Sequence, residues 1–246
     1  MTQVTVKRMW KNFGSQVVLE NVNLHIGDHE FVTIVGASGC GKTTFLKILL
    51  GIETPSKGEF LIDGDPLAGE PGPDRGIVFQ RYSLFPHLTV MQNLLLGLEF
   101  QGSPLLGRLF GARRRRALER ARDLLEAIGL QDAAGKYPAQ LSGGMQQRLS
   151  IAQSVICEPK ILLLDEPFGA LDPGITADMH ALILKLWNMN KMTIFMVTHD
   201  LQESFELGTR VLVFDKVRID PQAPEAFGAT VTYNIPLKGH RSAVGE

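Results

Sequence analysis

One stretch of this chain, Gly36 to Thr44, constrains the fold more than any other part of the sequence. It reads GASGCGKTT and stands between an apolar run, Phe31 to Val35, and a segment with helical spacing that continues to Gly51. A short apolar run rich in β-branched residues predicts a strand covered on both faces, as in a parallel sheet. The sequence therefore predicts an α/β protein in which a glycine-rich turn joins a buried strand to a helix.

The composition of this loop is typical of a phosphate cradle. A polyphosphate carries several negative charges, so it needs many donors, and glycines let backbone N–H groups approach it at the positive end of a helix dipole. Lys42 is expected to reach the β- and γ-phosphates, and Thr43 to ligate Mg²⁺. A chance glycine turn is the alternative. The predicted nucleotide contacts are Gly36, Ala37, Ser38, Gly39, Cys40, Gly41, Lys42, Thr43 and Thr44.

Two carboxylates follow a second apolar strand. The run ILLLDE places Asp165 and Glu166 at the carboxyl end of that strand, the edge where ligands bind in α/β sheets. Asp165 is expected to hold Mg²⁺, and Glu166 to polarise the water that attacks the γ-phosphate. The plainer alternative is a strand that ends in two solvated acids.

Two further polar side chains also follow apolar strands. His199 comes after Thr193 to Val197, and Gln80 comes after Gly76 to Phe79. We predict that His199 contacts the γ-phosphate and that Gln80 contacts Mg²⁺ or the lytic water. A structural histidine and an ordinary loop glutamine are the alternatives. The remaining histidines have no metal-ligand spacing and are interpreted as structural or exposed: His25, His29, His87, His180 and His240.

Charge and cysteine content exclude several classes of protein. The formal net charge of −1 does not indicate general binding to nucleic acid. Two cysteines without CxxC spacing do not form a disulfide framework or a metal site. No run of eighteen apolar residues occurs, so we expect any contact with a membrane to be made through a partner.

The segment LSGGMQQR, Leu141 to Arg148, comes about a hundred residues after the phosphate loop. It has no evident use in the same nucleotide site, which suggests that it closes over a nucleotide held by another copy of the chain. Ser142 is the predicted N-cap of a helix whose N-terminus points at anions. Helical patterns dominate between Thr89 and Met189, interrupted by the strand at Ile161 to Leu164.

These motifs, in this order, resemble the ATP-binding subunit of ABC transporters over nearly the whole chain. The resemblance implies a P-loop NTPase (RecA-like) α/β core with an N-terminal antiparallel β subdomain and an inserted α-helical subdomain. It implies a single domain, 1–246, with the core at 1–85 and 158–246 and the helical signature subdomain at about 86–157. The matching motifs are GASGCGKTT (Walker A), Gln80 (Q-loop), LSGGM (signature), ILLLDE (Walker B), Ala170–Leu171–Asp172 (D-loop) and His199 (switch histidine).

In that family two subunits enclose two ATP molecules head to tail. The resemblance implies that Ser142, Gly143 and Gly144 contact the γ-phosphate of the partner's nucleotide and that Asp172 belongs to the same site. Phe13 stands where the family has an aromatic that stacks on adenine, with a core role and Trp10 as its alternatives. Met145 and Gly169 depart from the common glutamine and serine, which removes two polar contacts.

Within the family the chain is similar to importer subunits for nitrate, sulfonate and taurine, and to cousins associated with urea or guanidine utilisation. This implies ATP and Mg²⁺ as cofactors, a transmembrane permease as direct partner, and a periplasmic binding protein as indirect partner. The expected location is the cytoplasmic face of the inner membrane, peripherally bound, with the coupling surface near Gln80 to Leu98. Alternatives are a soluble ABC-type switch in DNA repair or translation, and an exporter or lipid-transport ATPase.

One run of charge, Arg113 to Arg116, has no part in these motifs. A solvated helix start is one interpretation, and contact with anionic headgroups or an acidic partner is the other. Cations at a helix N-terminus oppose the helix dipole, which favours an outside partner.

Overall fold

The computed structural model describes residues 2–79, 84–102, 107–169, 172–223 and 225–237. The strands are β1 (Val4–Phe13), β2 (Gln16–Ile26), β3 (Phe31–Gly36), β4 (Lys57–Ile62), β5 (Asp65–Pro66), β6 (Arg75–Val78), β7 (Ile161–Asp165), β8 (Thr193–Val197), β9 (Arg210–Asp215) and β10 (Thr230–Pro236). The helices are α1 (Lys42–Leu50), α2 (Val90–Gly102), α3 (Gly111–Ala127), α4 (Gly143–Val155), α5 (Pro173–Asn190) and α6 (Leu201–Leu207). Short 3-10 turns occur at Gln131–Ala133 and Pro138–Gln140.

A six-stranded sheet forms the centre of the fold, in the order β10-β9-β3-β8-β7-β6. Its neighbours from β9 to β6 pair in parallel, and β10 adds an antiparallel edge strand. Every residue of β8 is buried, as expected for a parallel strand with elements on both faces. The predicted parallel α/β core is therefore confirmed.

The two faces of this sheet support separate apolar clusters. Successive side chains of a strand point to opposite faces, and β7 shows this alternation clearly. Leu162 and Leu164 pack with the helices α2 to α5, whereas Ile161 and Leu163 pack with α1 and the antiparallel sheet. The central sheet is thus held between a helical layer and a layer of mixed structure.

The antiparallel sheet has the order β2-β1-β4-β5 and confirms the predicted N-terminal β subdomain. Its first strand, β1, continues from Val4 to Phe13 through several register shifts against β2. These irregularities interrupt the alternation of apolar and polar residues that marks a strand in the sequence.

Helices α2, α3 and α4 come between β6 and β7, as the predicted helical insertion requires. A buried amide, Asn93, fixes the entry to this layer. Its side chain accepts from Phe85 N at 2.9 Å and donates to Phe85 O and Leu88 O at 3.1 and 3.0 Å. In the described parts of the chain, no helix has the length and apolar character needed to cross a membrane.

Candidate active site

Parallel strands bring three loops to one edge of the central sheet. Strand β8 lies between β3 and β7, and its Val197 is paired with Ile34 on one side and Asp165 on the other. The loops after these three strands carry the glycine-rich turn, Glu166 and His199. Residues far apart in sequence therefore meet where ligands bind in α/β sheets.

The glycine-rich loop has a backbone that only glycine adopts easily. Gly36, Gly39 and Gly41 have φ angles of 152°, 75° and 95°. At Gly41, the N-cap of α1, no side chain caps the helix, so the N–H groups of its first turn are not satisfied by a cap. This arrangement fits a polyphosphate, because free backbone donors and a helix dipole point the same way.

The ammonium group of Lys42 lies against the start of its own loop. Its Nζ donates to Gly36 O at 2.7 Å and to Ala37 O at 2.9 Å, and the side chain is nearly buried. A charged donor held this closely by carbonyl oxygens is well placed to exchange them for phosphate oxygens. The loop thus contains both the backbone and the cation that phosphate binding requires.

Replacing Gly36 by Ala is expected to destabilise the protein strongly. A Cβ at this position would lie 2.1 Å from Phe214 O on the neighbouring strand β9, in addition to the cost of the positive φ. Gly39→Ala is the matched control, because no atom lies within 4 Å of its added Cβ. In urea unfolding we expect a loss of about 3 kcal/mol or more for Gly36→Ala and about 1–2 kcal/mol for Gly39→Ala. Equal losses would contradict the steric argument.

The predicted magnesium ligands Thr43 and Asp165 are in contact. Thr43 Oγ1 donates to Asp165 Oδ1 at 3.3 Å. Burial raises the pKa of Asp165, and the Thr43 hydrogen bond acts in the opposite direction. A hydroxyl and one carboxylate fit Mg²⁺, which in nucleotide sites takes few protein ligands and completes its shell with phosphates and water. Among the described residues no group of three or more His, Cys, Asp or Glu side chains could hold a metal alone.

Glu166 has a strained backbone and faces His199. Its φ is 48°, unusual for a residue other than glycine, and its N–H donates to Val197 O at 3.0 Å. Glu166 Oε2 lies 3.9 Å from His199 Nδ1, and the imidazole is largely exposed. Strain of this kind is concentrated at functional sites, where the surrounding structure holds it in place.

The signature segment begins helix α4 as predicted. Ser142 is the N-cap, and its Oγ accepts from Met145 N at 3.3 Å. Gln146 Nε2 donates to Pro138 O and Leu141 O at 3.0 and 3.2 Å, which fixes the approach to the helix. A Cβ on Gly144 would lie 2.9 Å from Ile175 Cγ2, so the helix N-terminus packs closely on α5.

One buried contact at this helix was not predicted from the sequence. Gln147 Nε2 donates to Pro167 O at 2.6 Å, which ties α4 to the segment directly after Glu166. The glutamine is almost completely buried. Its sequence position, within the run MQQR, gives no signal that distinguishes it from an exposed glutamine.

Two further predicted contacts, Phe13 and Asp172, lie within the described residues. The ring of Phe13 is 46% exposed and Lys11 Nζ lies 4.6 Å from its centroid, so Phe13 is not part of the core. Asp172 is the N-cap residue of α5 and its carbonyl accepts from Thr176 N at 2.9 Å. Gln80 and the D-loop residues Ala170 and Leu171 lie outside the described residues.

Comparisons with known proteins show the family to which the chain belongs. The ABC transporter family matches residues 19–169. The chain is 42% identical over 223 residues to the nitrate import ATP-binding protein NrtD of Synechocystis sp., covering 91% of this chain and 78% of the relative. It is 44% identical to the aliphatic sulfonates import ATP-binding protein SsuB of Burkholderia ambifaria, covering 90% of this chain and 64% of the relative.

Solved structures are similar over almost the full length. A dimeric ATP-binding cassette in a post-hydrolysis state, bound to ADP and Pi, superposes with a TM-score of 0.73 at 32% identity, covering 96% of this chain and 99% of that one. A subunit of the ABC transporter complex cbiONQ from Clostridium perfringens gives a TM-score of 0.78 at 26% identity, covering 94% of this chain and 87% of that one. The chain therefore belongs to the ABC transporter family and is one of its ATP-binding, ATP-hydrolysing subunits.

Proposed function

We propose that this protein energises a bacterial-type importer for a small polar solute, with two copies enclosing two ATP molecules. The observation that carries this proposal is the arrangement of the sheet edge. Strands β3, β7 and β8 bring Lys42, Asp165–Glu166 and His199 together, while the signature at Ser142 begins a separate helix. One chain thus offers a hydrolytic half-site and a separate anion-facing helix end.

Each residue of the half-site has one task. Lys42 and the N–H groups of α1 bind and orient the β- and γ-phosphates. Thr43 and Asp165 would hold Mg²⁺, together with Gln80, and the ion would neutralise charge that develops on the phosphates. Glu166 orients and polarises the attacking water, and His199 contacts the γ-phosphate. Phe13 offers an exposed ring for stacking on the base.

The second copy completes the site. The hydrogen bonds of Leu141 and Ser142 run to their own neighbourhood, residues 138–146, in the part of the chain that the structure describes. Ser142 and Gly143 are exposed and therefore available to the partner's γ-phosphate, with the buried Gly144 directly behind them, and we propose Asp172 for the same interface. Solved relatives that are dimeric support this arrangement.

The permease contact is proposed at the loop before α2. Phe85 is exposed although Asn93 holds its backbone by two hydrogen bonds, so the ring is presented on a fixed support. An exposed apolar side chain that follows Gln80 by five positions in the sequence is a suitable contact for transmitting nucleotide state to a membrane partner. This contact would hold the protein at the cytoplasmic face of the membrane.

The test is recovery of the transporter from native membranes. A tagged copy should co-purify in mild detergent with a multi-spanning permease, and Glu166→Gln should co-purify with the same permease. Cells that depend on this subunit should take up the cargo with the parent and not with Glu166→Gln. If no permease were recovered, and if uptake were the same with the parent and with Glu166→Gln, the importer function would be contradicted. A soluble ATPase switch would then remain.

The cargo is proposed to be a small oxyanion. Two relatives are importers by name, one for nitrate and one for aliphatic sulfonates. Uptake should therefore be measured in parallel with labelled nitrate, an aliphatic sulfonate, and guanidine or urea. Uptake of guanidine or urea alone would reject the oxyanion and support the alternative cargo.

A further inference from the structure

Outside the residues assigned above, a histidine between two glutamates joins helices α5 and α6. His180 Nε2 lies 3.0 Å from Glu203 Oε1, and its Nδ1 lies 3.3 Å from Glu206 Oε2. The side chains of His180 and Glu203 are only 12% and 10% exposed, whereas that of Glu206 is 58% exposed. An imidazole donates to a carboxylate at each ring nitrogen only when both nitrogens carry protons. The geometry therefore suits the imidazolium form.

The same histidine touches the segment that follows Glu166. The ring of Phe168 packs edge-on against His180, with 5.1 Å between ring centroids. A cavity of about 700 Å³ beside these residues is also lined by Glu166 and His199. His180 therefore contacts Phe168, two residues after Glu166, and lines the same cavity as Glu166 and His199.

Helix α6 connects the other side of the cluster to His199. The helix begins directly after Asp200, whose Oδ1 accepts from Gln202 N at 2.8 Å and Glu203 N at 3.3 Å. Glu203 stands three residues after the N-cap Asp200, which is less than one helical turn from the loop that carries His199. A displacement of α6 would therefore also move the loop that carries His199.

We propose that His180 is a positioning residue, which in its doubly protonated form holds α6, and with it His199, against the loop of Glu166 and Phe168. The proposal rests on the function proposed above for Glu166 and His199. Loss of the imidazolium would release α6 and widen the separation of the two catalytic side chains. His180 itself does not contact nucleotide.

The charges around His180 are mainly acidic. Glu203 and Glu206 face it from α6, and the ionisable groups lining the adjoining cavity are Glu166, His199 and Asp200. On its own helix, Asp178 is paired with Arg148 of α4 at 3.4 Å. Burial is the largest single effect on the pKa of His180 and lowers it, but the two glutamates together outweigh burial, so the pKa is raised.

The sign of the pH dependence follows from that direction. A histidine with a raised pKa in the folded protein contributes stability that is fully present below its ordinary value near 6.5 and is lost as the pH rises through the raised pKa. Both the positioning of His199 and the free energy of unfolding should therefore weaken with rising pH across this window.

The test measures kcat for ATP hydrolysis from about pH 5.5 to 9.5 in the parent, in His180→Gln and in the control variant His25→Gln. Glutamine keeps one donor for Glu203 but cannot carry charge. The control residue His25 is exposed on β2, where its Nδ1 lies 3.1 Å from Thr5 Oγ1. At pH 6 we expect His180→Gln to lower kcat for ATP about 3- to 10-fold, with KM changed less than about 2-fold. The difference from the parent should shrink towards zero as the pH rises through the raised pKa of His180.

The His180 proposal and the proposed function can each be rejected by a separate result. Parallel pH profiles of kcat for the parent and His180→Gln would overturn the proposal, even if the variant were less stable, because a purely structural role moves stability alone. A failure of the proposed function is recognised separately, as full ATP turnover in Glu166→Gln whatever His180→Gln does.

Discussion

Glu166→Gln is expected to bind ATP with near-parental affinity and to hydrolyse it at least about 100-fold more slowly. The substitution keeps the size of the side chain, which lies 3.9 Å from His199, but it removes the negative charge that we propose polarises the water. ATP should then remain trapped between two copies. The expected result in size-exclusion chromatography is a dimer that forms with ATP and persists, whereas the parent dimer decays as ATP is consumed.

A glutamate at the other end of the same strand provides the control. Glu158 also has a positive φ, 51°, and precedes β7 where Glu166 follows it. Its carboxylate is exposed and pairs with Arg120 at 2.8 Å, far from the catalytic edge. Glu158→Gln should keep parental ATP turnover. Comparable turnover in both variants would show that Glu166 is not the residue that activates the water.

Lys42→Ala is expected to abolish nucleotide binding rather than slow its chemistry. The variant removes a charge-assisted donor to the phosphates, and such contacts contribute about 1.5–3 kcal/mol each. Because we propose that the ammonium contacts two phosphate groups, Kd for ATP should rise at least about 100-fold. Titration calorimetry in the Glu166→Gln background measures this without interference from hydrolysis.

A second lysine of the same helix is the matched control for this prediction. Lys47 is exposed in the last turn of α1, and Lys47→Ala removes the same charge from the same helix. Its Kd for ATP should stay close to that of the parent. If both variants lost the same affinity, the effect would come from net charge near the site, and the assignment of Lys42 to the phosphates would be rejected.

Local sequence was enough to predict the nucleotide loop and the signature helix. A strand, a glycine turn and a helix follow one another within residues 31–51. The three parts that a phosphate loop requires are therefore adjacent in the sequence and can be recognised from local pattern. The same holds for Ser142, because an N-cap is decided by the residues within one turn of it. The acids after β7 were predictable for a similar reason, since an apolar run ends directly at them.

Elements defined by distant pairing were not predictable. Strand β10 carries no clear apolar alternation, since none of its residues is fully buried, and it exists because β9 offers a free edge for antiparallel pairing. The contact of Thr43 with Asp165 joins residues 122 positions apart. The sequence around either residue does not indicate the contact, because only the parallel pairing of β3, β8 and β7 brings the two residues together.

The chain's own sequence determined the chemistry available at the site: a phosphate loop, a cation, two carboxylates and a helix end for anions. Tertiary structure alone decided which of these groups lie together. His180 illustrates the difference, because the sequence analysis left it structural or exposed, and only the packing of α5 on α6 placed a carboxylate at each of its ring nitrogens. Buried ionic contacts depend on the low dielectric and geometry created by folding, which no local pattern encodes.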